Sequence, residues 1–147
     1  MTSPRWPAER LDPEHYAGPG HDLPVFYGDL DTGGHLNNVA FGRFFEQSRF
    51  EAHRRIGLPK LMADHGGRFL VARVAIDYLR EAHFGAPLHL RTRVHTIGTS
   101  SAVEHQGAWQ HGECVALAET VMVYVSDAGA TPLPDHLRAA LEQVQPA

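Results

Sequence analysis

The sequence predicts an α+β domain in which one long helix packs on an antiparallel sheet of about five strands. Two hydrophobic patterns carry this prediction. Apolar residues recur at helical spacing between about residues 37 and 56, whereas residues 68–125 alternate with a period of two. Short turns join the strand-like segments, which is typical of one helix lying on one antiparallel sheet.

Length and composition indicate a single globular domain. The chain has 147 residues, of which 43% are hydrophobic and 20% are charged, far from the composition of disordered chains. Residues 1–20 mix four prolines with charged side chains, and we expect them to form a loosely ordered extension. Residues 21–147 are then expected to form one domain.

Charge and cysteine content argue against several classes of protein. The net charge is -4 with only 13 Lys and Arg residues, which disfavours a nucleic-acid-binding surface. No run of about 18 apolar residues occurs, so no membrane span is expected, and residues 1–20 contain no continuous apolar segment, so no signal peptide is expected. Cys114 is the only cysteine, which favours a reducing, cytoplasmic location. Its apolar surroundings in the sequence indicate a packing role rather than a nucleophile.

The predicted helix follows a first strand. Residues 21–27 are predicted to form that strand, with Pro24 indicating an edge position. A helical period begins near Asn37 and is expected to end at Gly57, with one further turn over residues 60–65. Phenylalanines at helical spacing mark the buried face of the helix: Phe41, Phe44 and Phe45.

Four strands and a short tail helix are predicted to follow. The strands span residues 68–79, 88–97, 101–110 and 113–125, and the tail helix spans residues 134–143. The last strand is apolar on both faces, which implies burial on both sides. Because one helix can cover only one face of the sheet, we expect a homo-oligomer in which a partner subunit covers the other.

An acidic, glycine-rich turn, residues 27–38, leads into the long helix. The first four N–H groups of a helix have no partner inside it, so this turn brings carboxylates and free backbone donors into one small volume. Such a volume suits a polarised carbonyl group. Asp31 is a candidate base or nucleophile, two routes that the sequence leaves open. Alternatively, Asp29 and Asp31 serve only as turn or capping residues.

The polar residues beside Asp31 also have two interpretations each. His35 could orient a substrate or share a proton, but it could equally cap the helix. Asn37 and Asn38 are of a residue type that caps helices, a role that can coincide with a catalytic one. Glu46 and Arg49 lie three residues apart on the helix and most simply form an ion pair.

Several segments together resemble a known family. The pattern D-x-D-x-x-G-H-x-N-N at residues 29–38 is followed by Phe45-Glu46-x-x-Arg49, by residues 76–79 with Gly85 beyond them, and by the turn at residues 97–101. These segments resemble the hotdog-fold acyl-CoA thioesterases of the 4-hydroxybenzoyl-CoA thioesterase type. The resemblance covers roughly residues 23–125.

The resemblance implies a fold, an activity and an assembly. The fold is a hotdog, a long central helix wrapped by an antiparallel sheet. The activity is hydrolysis of an acyl-CoA thioester to a free acid and CoA, without a cofactor. The assembly is a homodimer or homotetramer with the active site at the subunit interface. The alternative is a hotdog module that binds acyl-CoA without turning it over; a hotdog dehydratase or hydratase is disfavoured by the D-x-D turn.

The resemblance also implies roles for individual residues. Asp31 matches the catalytic carboxylate, and the backbone N–H of Asn38, within residues 37–39, matches the donor to the thioester oxygen. Phe41 stands where many members have Tyr, so no hydroxyl is expected from that position. Further substrate-binding candidates, mainly for the CoA phosphates, are Asn37, Phe41, Arg80, Arg91, Arg93, Ser100 and Ser101.

Two other kinds of site are not expected. Three histidines recur every six residues, His83, His89 and His95, but their spacing is not that of a metal site. Ser100 and Ser101 do not lie in a G-x-S-x-G nucleophile elbow. The sequence therefore predicts neither a metal centre nor a serine hydrolase.

Overall fold

The computed structural model describes residues 6–145. Two short 3₁₀ turns, Ala8–Leu11 and Pro13–His15, precede the first strand, and a third, Tyr27–Asp29, follows it. The strands are β1 (His21–Leu23), β2 (Arg68–Tyr78), β3 (Leu88–Ile97), β4 (Ser101–Gln110), β5 (Glu113–Ser126) and β6 (Gly129–Ala130). The α-helices are α1 (Asn38–Arg55), α2 (Leu58–His65) and α3 (Asp135–Glu142).

The strands form one antiparallel sheet in the order β1-β3-β4-β5-β2, with β6 paired to β5. The 18-residue helix α1 lies on one face of this sheet. The predicted α+β architecture is therefore confirmed. At one edge of the sheet β1 is only three residues long, whereas β2 at the other edge has 11 residues.

The phenylalanine face of α1 builds the main core. Phe44 and Phe45 are completely buried and Phe41 nearly so, packed on apolar residues of β3, β4 and β5. A second core cluster lies beneath α2 and α3 and includes Leu58, Tyr124 and Leu137. The main cluster fixes α1 on the sheet, which sets where its N-terminal end points.

Polar side chains pin the middle of α1 to the sheet. Arg49 is buried and donates to Gln106 Oε1 at 3.2 Å and Thr120 Oγ1 at 3.3 Å. Glu46 is exposed and is not the ion-pair partner of Arg49, so that prediction is wrong. The sheet supplies neutral acceptors closer to the guanidinium than the helix does.

The arm formed by residues 6–20 packs on the outer face of the sheet, the face opposite α1. Arg10 is buried and donates to the carbonyl oxygens of Gln106 and Ala118. Tyr16 is also buried, with its ring edge-on to Trp109, and Trp109 Nε1 donates to the Leu11 carbonyl at 2.8 Å. The arm therefore differs from the expected loosely ordered extension over this part; residues 1–5 lie outside the described range.

The arm also changes the expectation for β5. Leu117 points away from α1 and is completely buried, because the arm lies over this region of the sheet. The outer face of β5 is thus covered here by the chain itself rather than by a partner. Cys114, near the start of β5, is half-buried, and burial raises the pKa of its thiol to about 11. A thiol of this kind is protonated at neutral pH and is a poor nucleophile.

Two predicted boundaries differ from the structure. β1 ends at Leu23 rather than at residue 27, because Pro24 cannot donate a ladder hydrogen bond and residues Tyr27–Asp29 form a 3₁₀ turn. Beyond Gly57 the chain forms a two-turn helix, α2, longer than the single turn predicted. No helix within residues 6–145 is long and apolar enough to cross a bilayer.

Candidate active site at the start of the long helix

Asp29 holds the acidic turn in place. Its Oδ2 accepts the backbone N–H of Phe26 at 2.9 Å, and its Oδ1 lies 2.6 Å from Nη2 of Arg43 on α1. The backbone N–H of Asn37 donates to the Asp29 carbonyl at 2.8 Å. All these contacts are within the protein, so Asp29 is a structural residue of the turn.

Asp31 is exposed and lies on the open side of the same turn. Its Oδ1 accepts the backbone N–H groups of Gly33 at 2.8 Å and His35 at 3.2 Å. Two such bonds fix the orientation of the carboxylate. Gly34 has φ +82°, a left-handed conformation that favours glycine, and it lets the chain fold back so that Asp31 N–H reaches the His35 carbonyl at 2.8 Å.

The start of α1 presents a backbone donor at Asn38. Asn37 is the N-cap residue, and its Oδ1 accepts the N–H of Val39 at 3.0 Å. The N–H of Ala40 donates to the Asn37 carbonyl at 2.9 Å. Among the residues that the structure describes, the Asn38 N–H has no acceptor. Of the predicted amides at residues 37–39, only that of Asn38 is left to bind a ligand.

A pocket of about 360 Å³ joins Asp31 to the helix start. Asp31, His35, Asn38, Phe41 and Arg80 all line this pocket, so five of the residues singled out in the sequence lie together. The remaining lining residues are Leu36, Tyr78, Leu79 and Glu81. Its volume is in the range of small-ligand sites, roughly 300–1,000 Å³. Asn37 does not line the pocket; it caps the helix.

Tyr78, at the end of β2, was not predicted as a site residue. Its hydroxyl donates to the Asn38 carbonyl at 3.1 Å, and its ring lies edge-on to Phe41 with 5.5 Å between centroids. A tyrosine hydroxyl therefore lies near the helix start although Phe41 has none. The sequence signal was weak, because Tyr78 fits the pattern as one more apolar residue in an alternating strand.

Glu81 and His83, in the connection between β2 and β3, were also missed as site residues. Glu81 Oε2 lies 3.2 Å from Nε2 of His35, and the His35 and His83 rings are perpendicular at 5.3 Å. The isolated bridge between His35 and His83 and the bond from Leu36 N–H to the Ala82 carbonyl attach this connection to the acidic turn. No local motif in the sequence indicates this long-range pairing.

Four of the predicted CoA-binding residues lie away from the pocket. Arg91 donates to the Gly18 carbonyl, and Arg93 donates to the His15 carbonyl, so both hold the arm on the outer face. Ser100 and Ser101 lie in or beside the β3–β4 turn, level with Leu70, about 25 Å along the sheet from Tyr78 at ~3.3 Å per residue. Within one protomer, only Arg80 of the predicted phosphate-binding candidates is at the pocket.

Within the described range there is no group of three or more His, Cys, Asp or Glu side chains arranged to hold a metal ion. Of the three histidines at six-residue spacing, His83 contacts His35, His89 pairs with Asp22 at 2.8 Å, and His95 stacks on His105. These contacts separate the three rings.

Comparison with known proteins gives a family match. The profile of the thioesterase-like superfamily matches residues 25–141. No curated protein sequence matches the chain significantly.

Solved structures are similar over most of the chain. A thioesterase from Thermus thermophilus, crystallised with coenzyme A and Zn, is 30% identical, with 84% of this chain and 91% of that chain covered and a TM-score of 0.74. A predicted thioesterase from Bacillus stearothermophilus is 27% identical, with 88% and 98% covered and a TM-score of 0.77. A probable thioesterase from Escherichia coli, at 24% identity and a TM-score of 0.79 over 88% and 100% of the two chains, shows the same fold.

Proposed function

The chain belongs to the thioesterase-like superfamily and has its hotdog fold, and we propose that it hydrolyses an acyl-CoA thioester to a free carboxylic acid and CoA. The observation that carries this proposal is the pairing of Asp31 with the unpaired Asn38 N–H in one pocket. In thioester hydrolysis the carbonyl carbon is attacked and the carbonyl oxygen gains negative charge. Asp31 is suited to the attack on the carbon, and the Asn38 N–H is suited to stabilise the oxygen.

The Asn38 N–H is the proposed hydrogen-bond donor to the thioester oxygen. It is at the N-terminal end of an 18-residue helix, where the helix dipole adds partial positive charge. A thioester oxygen bound there would be stabilised as it becomes an oxyanion. Since Val39 N–H is already taken by the Asn37 cap, we assign this contact to Asn38 alone.

Asp31 promotes the attack on the thioester carbon by one of two routes. In the direct route its carboxylate takes a proton from water as the water oxygen attacks the thioester carbon. In the covalent route a carboxylate oxygen attacks that carbon, the CoA thiolate leaves, and water then hydrolyses the mixed anhydride. Oδ1 is held by two backbone N–H groups, so Oδ2 is the oxygen available in either route.

The CoA part of the substrate would lie at the pocket mouth. Arg80 lines the pocket, and its side chain is 53% exposed, with Glu113 at 3.7 Å as an ion-pair partner. An exposed guanidinium so weakly held is able to turn towards a phosphate. That the Thermus thermophilus relative was crystallised with coenzyme A supports this type of ligand.

We further propose that the protein acts as a homodimer joined through β2. Within residues 6–145, β2 is a long edge strand paired on one side only, to β5, and it carries exposed apolar side chains, Leu70, Val71, Val74 and Tyr78. Beside it, a groove of about 720 Å³ between α1 and β2 is walled by Phe50, Phe69 and Val74. A second β2 would pair with this edge and cover the groove. Because Tyr78 belongs to both β2 and the pocket, the partner would approach the site.

The test of this function is direct. The purified protein is given a panel of aliphatic and aromatic acyl-CoAs, 4-hydroxybenzoyl-CoA among them, and released CoA is trapped with a thiol reagent. We expect turnover of at least one substrate and a loss of about 10³-fold in kcat for Asp31→Asn. Asp29→Asn is a poor control because it loosens the turn, so Asp64→Asn, an exposed carboxylate on α2, is used instead. Tight binding without turnover would identify a non-catalytic acyl-CoA-binding module.

A further inference from the structure

We propose that Glu81 is a positioning residue that keeps His35 protonated on Nε2, so that Nδ1 of His35 accepts a proton from the attacking water. This inference rests on the proposed thioester hydrolysis. It gives the site a second functional carboxylate, on the β2–β3 connection rather than on the acidic turn.

The contact between Glu81 and His35 favours one tautomer of the ring. Glu81 Oε2 lies 3.2 Å from His35 Nε2. An ionised carboxylate has no proton to donate, and its negative charge beside Nε2 favours the ring form with N–H at that nitrogen. In the neutral imidazole this leaves a lone pair at Nδ1, which is the basic nitrogen.

The basic edge of the ring faces Asp31. A Cβ built on Gly33 would lie 3.3 Å from Asp31 Oδ1, 3.8 Å from His35 Nδ1 and 3.9 Å from His35 Cε1. The carboxylate and the Nδ1 edge of the imidazole therefore flank one point, which glycine leaves without a side chain. Within the described part of the chain, Nδ1 has no hydrogen-bond partner, so a water molecule can bind there.

A buried side chain holds the connection that carries Glu81. Gln110 is 5% exposed; its Oε1 accepts the His83 N–H and its Nε2 donates to the His83 carbonyl, both at 2.8 Å. The His83 ring in turn lies edge-on to the His35 ring, with an angle of 89° between them. The backbone that carries Glu81 is thus fixed beside His35, even though the Glu81 side chain is 63% exposed.

A base other than Asp31 is what the covalent route needs. Asp31 Oδ2 attacks the thioester carbon and the CoA thiolate leaves, giving a mixed anhydride on Asp31. Water then attacks the anhydride and gives one proton to His35 Nδ1, which regenerates the Asp31 carboxylate and releases the acid. The imidazolium, paired with Glu81, passes that proton to the CoA thiolate, so the charges balance and His35 returns to its neutral form.

The tautomer is measurable without any substrate. Nitrogen-15 chemical shifts of the His35 ring, recorded at neutral pH and assigned with His35→Gln, distinguish Nε2–H from Nδ1–H. We expect the Nε2–H form in the wild type and a mixture of the two forms in Glu81→Gln. A wild-type ring that carries its proton on Nδ1, or a ring unaffected by Glu81→Gln, would overturn the proposal whatever the enzyme's activity.

The kinetic test uses a closely matched control. We expect kcat to fall about 10²-fold in His35→Ala and about 10-fold in Glu81→Gln, with KM little changed. The double variant should be no slower than His35→Ala, because the two residues act as one unit. Asp22→Asn should leave kcat unchanged, because Asp22 pairs with His89 on the opposite edge of the sheet. The two pairs are equally exposed: the side chains of Asp22 and Glu81 are each 63% exposed, and those of His89 and His35 are 37% and 36% exposed.

Two outcomes separate this inference from the proposed function. In the first, Asp31→Asn is inactive but Glu81→Gln keeps kcat within about twofold of the wild type, or the effects of Glu81→Gln and His35→Ala multiply in the double variant. The proposed role of Glu81 is then wrong, whereas the proposed hydrolase activity is supported. If the wild type turns over no acyl-CoA, the proposed function fails, and the nitrogen-15 measurement still decides whether Glu81 fixes the His35 tautomer.

Discussion

Asn37 Oδ1 accepts the N–H of Val39 at 3.0 Å, and this bond leaves the Asn38 N–H as the free donor at the start of α1. The capping residue thus occupies the Val39 amide and leaves that of Asn38, a residue that lines the pocket, unpaired. Since a backbone donor is not removed by changing a side chain, the contact has to be tested through proline.

Asn38→Pro should abolish the donor while keeping the helix. Asn38 is the first helical position, where proline is well tolerated, and Asn37 has φ -62° and ψ 136°, the extended conformation that a residue before proline adopts. We expect kcat to fall on the order of 10²–10³-fold, with an unchanged circular dichroism spectrum. Asn38→Ala keeps the N–H and should retain activity within several-fold; equal losses in the two variants would contradict the role of the amide.

Tyr16→Ala should destabilise the fold strongly, because the arm is part of the core. Tyr16 is 3% exposed, packs edge-on to Trp109 and donates to the Arg10 carbonyl at 3.0 Å. Truncating a buried aromatic side chain costs about 3–5 kcal/mol. Urea unfolding measures this loss, with Glu9→Ala, an exposed change on the same arm, as the control. A loosely attached arm would make the two variants equally stable.

His105 should make stability depend on pH. Burial, and then the nearby charge of Arg10, lower the pKa of His105 to about 4, against the effect of its 3.0 Å bond to Glu119. The unfolded chain takes up this proton near pH 6.5, whereas the folded protein stays neutral there. Between about pH 6.5 and 4 the unfolded state therefore binds more protons, and the free energy of unfolding decreases as the pH is lowered.

The size of this effect can be isolated with a substitution that does not titrate. The wild type should lose up to about 3 kcal/mol through His105 between pH 7 and 4. His105→Gln keeps a hydrogen-bonding side chain next to Glu119 and should show a shallower pH dependence of unfolding over pH 4.5–7. An unchanged slope would mean that His105 titrates normally in the folded protein.

Val74→Lys should dissociate the proposed dimer. Val74 is 44% exposed on the edge strand β2 and walls the groove beside α1. Across a two-stranded interface this change buries a charge without a partner, which is strongly unfavourable. Sedimentation should show a dimer for the wild type and for Ala128→Lys, a change in the exposed β5–β6 turn, but a monomer for Val74→Lys. A wild-type monomer would contradict the assembly through β2.

The sequence predicts the fold well because each element has a strong local signal. The phenylalanine spacing defines α1, and the alternation at residues 68–125 defines the four long strands. At the site, the turn places Asp31, His35 and Asn38 by itself, since all three lie within eight residues of each other. Site residues that lie close together in the sequence are the ones that a single sequence predicts best.

The residues that were missed reach the site through tertiary pairing. Glu81 meets His35 only because the β2–β3 connection bridges to the acidic turn. Arg91 and Arg93, conversely, have the side chains of phosphate ligands but lie on the sheet face that the arm covers. The alternation along β3 places both arginines on one face, but whether that face is open to a ligand depends on how the arm folds back, which the spacing around the arginines does not encode.

The arm has a consequence for architecture beyond one protomer. Arg10 and Tyr16 occupy the outer face of β4 and β5, so two copies could not stack their sheets back to back over this area without first peeling off both arms. Association of two copies through this face would expose the buried indole of Trp109 and break its hydrogen bond to the Leu11 carbonyl. The arm thus covers one side of the sheet, and the β2 edge remains the surface through which the proposed dimer would form.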